Sequence, residues 1–146
     1  LINIFGHMSV VCLRQQNRHI FVTFEASAAN AGAYGCRYIF CLAAKNINHS
    51  SYWHSGDCDG KINIKLTMAN PSPVNYIVLA ENTATGQQIE KFSLYGQVKG
   101  KWKKLAAGTT IGYKRICRFK EIRVRYFRLV VEKARCFATI SKFEAY

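Results

Sequence analysis

Apolar and polar residues alternate along most of this chain, and apolar positions hardly ever recur at helical spacing. Residues 20–27 (IFVTFEAS) place Ile20, Val22 and Phe24 on one side. Residues 61–67 (KINIKLT) turn Ile62, Ile64 and Leu66 one way, and Asn63, Lys65 and Thr67 the other. Residues 75–80 (NYIVLA) form a short continuous apolar run, the pattern of a strand covered on both faces. In residues 88–96 (QIEKFSLYG) the phase slips at Glu90–Lys91, which a β-bulge would explain. KWKKLAAG, KRICRFKEI, YFRLVVEK and TISKFEAY follow, each short, β-branched or aromatic, and bounded by Gly, Asn, Pro or clustered charge.

This pattern predicts about eight strands at intervals of roughly 8–15 residues, an all-β antiparallel sandwich of jelly-roll type. The two prolines, in NPSPV, are expected between strands. Residues 28–51 read as a long loop with one helical turn. One domain over residues 20–146 is expected, preceded by an atypical segment, 1–19. The opening LINIFGHMSVVCL has no basic stretch before its apolar part and gives a signal-peptide reading no support. No apolar run reaches the roughly 18–20 residues of a helical membrane span.

Charge adds a second feature. The chain has 146 residues and a formal net charge of +13. From Lys99 onward there are eight Lys and six Arg against Glu121, Glu132 and Glu144, so this third carries +11 of the total. A field of that size attracts polyanions, namely nucleic acid, sulfated glycan or anionic membrane. The plainer reading is a strand surface whose outward positions happen to be Lys and Arg. The basic region, residues 99–135, is a candidate surface for a polyanion or for a protein assembly partner.

The six cysteines (Cys12, Cys36, Cys41, Cys58, Cys117, Cys136) include no CxxC pair, which argues against a zinc knuckle. Cys117 falls at a core-like position, as a small hydrophobe. A sequon at Asn48 would matter only in a secreted chain.

Candidate chemistry is sparse. Of eight acidic residues, Asp57 and Asp59 are the pair closest in sequence within one loop, so they would not face each other across a scissile bond. His7, His19, His49 and His54 lack metalloprotease spacing. GTTIGYKR (residues 108–115) sets two cations beside a Gly-rich turn but lacks the P-loop frame. No catalytic residue is assigned and no enzyme is expected. Within this stretch Ile111 and Tyr113 are expected to pack on the sandwich. Arg115, which shares the parity of Cys117 and Phe119, would point inward and need a partner.

The order of motifs carries a resemblance. SYW at residues 51–53 is followed by PVNYIVLAEN, GQQIEKFSL, a Trp-Lys segment at Trp102–Lys103, GTTIGYKRI, ARCFATIS and a terminal FEAY. This series resembles the C-terminal discoidin-like sandwich of family 29 α-L-fucosidases, related to coagulation-factor type C and galactose-binding domains. The resemblance implies a galactose-binding-like jelly roll without the catalytic barrel, hence an accessory, carbohydrate-binding or interaction module. It also suggests a secreted or lysosomal setting. Trp53, Glu81, Gly86, Gly108, Gly112, Tyr113, Arg115 and Arg135 fall on its structural signature, with Arg115 and Arg135 as internal tethers. Related modules use an acidic turn before SYW, with a C-terminal glutamate matching Glu144, to hold calcium. Here Ala43 and Ala44 stand at that turn, and calcium needs about six to eight oxygens, which argues against the ion. Ala80 and Ala138 are further departures. For a glycan ligand, Tyr34, His54, Asp57, Asn82 and Gln87 are the loop candidates.

Overall fold

The computed structural model of the chain describes residues 14–15, 18–19, 27–28, 52–55 and 61–146. The strands are β1 (Arg14–Gln15), β2 (Arg18–His19), β3 (Ser27–Ala28), β4 (Trp53–His54), β5 (Ile62–Ala80), β6 (Ile89–Val98), β7 (Lys101–Gly108), β8 (Arg115–Ala134), β9 (Thr139–Ile140) and β10 (Lys142–Ala145). The main sheet runs β10-β5-β8-β6-β7, with β3 flanking β5, while β4 pairs with β9 and β1 with β2. Every pairing among the described residues is antiparallel.

The alternation of residues 61–67 is realised closely: Ile62, Ile64 and Leu66 are buried, and Ile77 to Ala80 are buried on both faces. The expected division into strands changes, however. Residues 61–67 and 75–80 belong to one strand, β5, and KRICRFKEI and YFRLVVEK belong to one partner, β8. The prolines therefore lie inside a strand rather than between two. Pro71 falls in the β5–β8 register shift between Thr67 and Ser72, while Pro73 is paired with Arg123, just before the second shift, between Val74 and Tyr76. A bulge tolerates a missing N–H, and both prolines are exposed.

Those shifts divide the long ribbon in two. Ile62–Thr67 pairs with Tyr126–Val131, which β6 and β7 extend; Tyr76–Leu79 pairs with Arg115–Arg118, which β10 flanks. Side chains of both halves, with β9 and β10, share one buried cluster that includes Phe92, Phe127, Leu129, Ile77, Leu79, Ile140 and Phe143. The ribbon thus closes on itself as a β-sandwich. Each fully buried Phe, Leu or Ile contributes about 1.5–3 kcal/mol, so this cluster outweighs every surface interaction described below.

The slip at Glu90–Lys91 is a register irregularity between β6 and β8 on both sides of Lys91. The β6–β7 hairpin turns at Lys99-Gly100, with φ of 50° and 79°. Positive φ at both central residues is the turn that matches strand twist, and glycine makes it cheap at the second.

Cys117 is a free, buried thiol, as expected; burial raises its pKa, partly opposed by the Arg115 charge. Cys136 is a free, exposed thiol. Of the loop expected at residues 28–51, Ala28 instead belongs to β3; its remainder, with Cys12, Cys36, Cys41, Cys58 and Asn48, lies outside the described residues.

Candidate functional site

Three segments meet at one end of the sandwich, where β5 ends and Glu81 begins the loop to β6. Glu81 is 3% exposed, and its carboxylate accepts three backbone bonds. Oε1 takes Gln88 N at 3.0 Å and Ile89 N at 2.9 Å, and Oε2 takes Gly112 N at 2.7 Å. Glu81 N returns a bond to Gly112 O at 2.8 Å. A buried carboxylate is costly unless its oxygens are satisfied, and these donors satisfy it. One side chain thereby fixes both the 82–88 loop and the GTTIGYKR loop.

The 82–88 loop is shaped from within. Thr83–Thr85 makes a 3-10 turn capped by Asn82, whose side-chain oxygen accepts from Ala84 N at 3.2 Å. Gly86 ends the turn at φ 79°. Asn82 N donates to Thr139 Oγ1 at 3.2 Å, and Ser141 Oγ donates to Glu81 O at 3.0 Å, which draws β9 to the same place. Thr139 pairs with His54, and the His54 ring stacks on Phe137 with centroids 4.4 Å apart. Ser55 completes the joint, accepting from Ala138 N at 2.9 Å. A small side chain is required there, since Ala138 is fully buried.

The structure thus brings His54, Asn82, Gln87 and the Gly112–Tyr113 turn to one end. Of these, Gln87 is exposed, while the Asn82 side-chain oxygen is committed to the turn. Tyr34 and Asp57 lie outside the described residues. Trp53 forms β4 by its backbone, and its side chain is likewise outside them.

Two expectations need correction, one within GTTIGYKR and one at Arg135. Ile111 is buried, but Tyr113 is 74% exposed instead of packed on the sandwich. Strand parity does not reach Tyr113, because β8 starts only at Arg115 and Gly112 turns the chain with φ 65°. Tyr113 is also the residue that reading the sequence missed as a candidate contact; a glycine directly before an aromatic outside the strand was the available signal. Arg135 is no internal tether either. It is 64% exposed, and its Nε lies 3.4 Å from Glu90 Oε1, beside Lys133 Nζ at 2.7 Å from the other oxygen. Its backbone supplies the local tie, donating to Gln88 O at 2.9 Å.

Arg115 does turn inward, with its guanidinium carbon 5.9 Å from the Phe92 ring centre. Gly108 is what makes room. A Cβ there would stand 2.8 Å from Phe92 Cε1 and 3.0 Å from Arg115 Nη2.

Glu144 lies on β10, and its Oε2 accepts from Tyr146 OH at 3.0 Å. No group of three His, Cys, Asp or Glu converges among the described residues. Ala43 and Ala44, at the turn expected to matter for calcium, lie outside the described residues.

The F5/8 type C domain pattern matches residues 24–144. The chain belongs to the F5/8 type C domain family. An Arabidopsis thaliana protein, alpha-L-fucosidase 1, is 31% identical over 98 residues, 65% of this chain. The match is 19% of that protein, so the F5/8 type C chain spans about a fifth of the relative's length. The crystal structure of SpGH29 superposes with a TM-score of 0.66 at 27% identity, over 84% of this chain and 26% of that one. A pectin-binding carbohydrate binding module has a TM-score of 0.55 at 17% identity, over 65% and 70% of the two chains, which shows shared fold alone. Membership of this family among fucosidase relatives fits a carbohydrate-binding accessory domain.

Proposed function

We propose that this chain is a non-catalytic carbohydrate-binding module, formed by residues 20–146, whose ligand end is the junction organised by Glu81. The observation that carries the reading is Tyr113, an exposed ring on a backbone turn that a buried carboxylate holds in place. A sugar ring stacks on an exposed aromatic face, and the anchored backbone beneath Tyr113 limits what must be ordered on binding. Gln87 on the adjoining loop supplies amide hydrogen-bonding groups for hydroxyls. Its neighbour Gln88 anchors that loop to Glu81 through the backbone.

Among the described residues no pair of carboxylates faces across this end: Glu81 is consumed by backbone donors, and the matched relatives are several times longer. Fucoside hydrolysis by this chain alone is not expected.

A glycan array at two salt concentrations, followed by titration of the best neutral ligand, tests the proposal. Tyr113→Ala should weaken that ligand about 10-fold or more while leaving the unfolding midpoint unchanged, since the ring contributes nothing to the core. Failure of every neutral glycan to bind, or full affinity in Tyr113→Ala, would remove the loop end as the ligand site.

A further inference from the structure

The outer face of the β5–β8–β6–β7 sheet carries a second pattern. Register puts Lys65 beside Arg128, Arg128 beside Tyr95, and Tyr95 beside Lys104, a row across four strands. Strand spacing makes each step about 4.8 Å. Two pairs further toward the hairpin tip, Gln97 stands beside Trp102. Cations and rings alternate here. The Arg128 guanidinium carbon lies 4.4 Å from the Trp102 ring centre and 5.4 Å from that of Tyr95. Lys65 and Arg125 both approach Tyr126, at 4.9 and 5.5 Å.

Arg128 stands out on this face. It is half-buried, it takes part in none of the ion pairs among the described residues, and its Nε has no hydrogen-bond partner. The Trp102 and Tyr95 rings flank the guanidinium, whose planar fork is the shape that pairs with a carboxylate. Lys104, exposed on the neighbouring edge strand, adds a mobile charge on the same face.

We propose that this face binds an acidic polysaccharide, one carrying carboxylates along its length, with Arg128 as the anchoring contact and Lys104 as a second. The idea rests on the carbohydrate reading above but concerns a different surface. Charge complementarity selects an anionic occupant. The rings select against single-stranded nucleic acid, which stacks bases on open aromatic faces. Here the rings of Trp102, Tyr95 and Tyr126 are each approached by a cation. A neutral sugar meets the same obstacle.

A competing account exists for the lysines alone. β7 is an edge strand, and exposed Lys101, Lys103 and Lys104 would deter pairing with another chain. That account gives Arg128 no role, since β8 lies inside the sheet.

The test is titration with polygalacturonate and with its fully methyl-esterified form at 50 and 300 mM NaCl. Binding should occur to the acid form only and weaken with salt. Arg128→Gln should lower affinity about 10-fold or more and Arg128→Lys should restore part of it, because charge returns without the planar fork. Lys104→Gln, at an exposed position that cannot upset the fold, should cost about 3-fold. Lys120→Gln, exposed in the other half of β8, should change nothing.

Equal losses in Lys120→Gln and Lys104→Gln would mean diffuse attraction and overturn the proposal. So would equal binding of the esterified polymer, or tighter binding of dextran sulfate, which has no carboxylate, or of single- or double-stranded DNA than of polygalacturonate. Binding of polygalacturonate that Tyr113→Ala leaves intact, with no neutral glycan bound, would sink the loop-end reading and leave this one standing. The reverse outcome would sink this one alone.

Discussion

The Glu81 junction and the cationic face of β8 are both polar surfaces on the same apolar core, yet they are held in opposite ways. At the junction one buried carboxylate satisfies three backbone donors from two loops. On the face, Arg128, Arg125 and Lys65 lean on three rings, with no bond that is individually decisive. A buried hydrogen-bonded charge is worth several kcal/mol to leave intact, whereas an exposed cation–π contact is worth about 0.5–1 kcal/mol. The junction should therefore fail abruptly when one residue is changed, and the face should degrade by small steps. Precise geometry belongs to the first and charge density to the second.

The sharpest way to break that comparison is Glu81→Ala. It leaves three amides without their acceptor in a site that is 3% exposed, and should cost about 3–5 kcal/mol in chemical denaturation. Glu81→Gln keeps one oxygen but turns an NH2 toward an amide donor, so it should fall between the two. A loss no greater than that of Arg128→Gln would mean the carboxylate does not organise this end.

Glycine substitutions come next. Gly108→Ala must push aside the Phe92 ring, which is fully buried, and should cost about 1–3 kcal/mol. Gly112→Ala has open space around its new Cβ but must keep φ at 65°, at about 1–2 kcal/mol. The same thermal unfolding series measures both. If Gly112→Ala proves the costlier, packing against Phe92 is softer than the backbone strain.

These glycines show how much the sequence carried. Their wide spacing in GTTIGYKR, with Ile111 buried and Arg115 turned in, was readable from the motif and its parity. So were the alternation of β5 and the bulge at Lys91, because period-two patterning and its slips are local properties. The fusion of four expected strands into β5 and β8 was not readable. Proline argues for a break wherever its partner strand is unknown, and only the register with β8 shows that a shift takes Pro71 while Pro73 stays paired with Arg123. The role of Glu81 was legible only as a retained signature residue, since its three donors lie 7, 8 and 31 positions away. Arg128 looked like one outward cation among many; its pairing with Trp102 depends on the β6–β7 hairpin bringing the indole beside it.

The smallest effect expected concerns acid. Glu90 is held below its ordinary carboxyl pKa of 4.5 by Lys133 and, less strongly, by Arg135. Glu132 is held below the same value by the Ser93 hydroxyl first and then by Lys91. A depressed folded-state value means the carboxylate stabilises the fold fully above the unfolded value. That contribution disappears as pH falls below 4.5 and through the lower folded value. Both groups stand at the margin of the cationic face, where solvent and salt screen them, so their effect should be slight. Thermal unfolding of the wild type and Glu90→Gln at pH 6 and pH 3 reads it directly. The two proteins should differ by a little at pH 6 and converge at pH 3, with the pH 6 difference shrinking at 1 M NaCl. A difference that persisted unchanged at pH 3 would show that Glu90 acts through packing, and the margin of the face would then be held as the junction is.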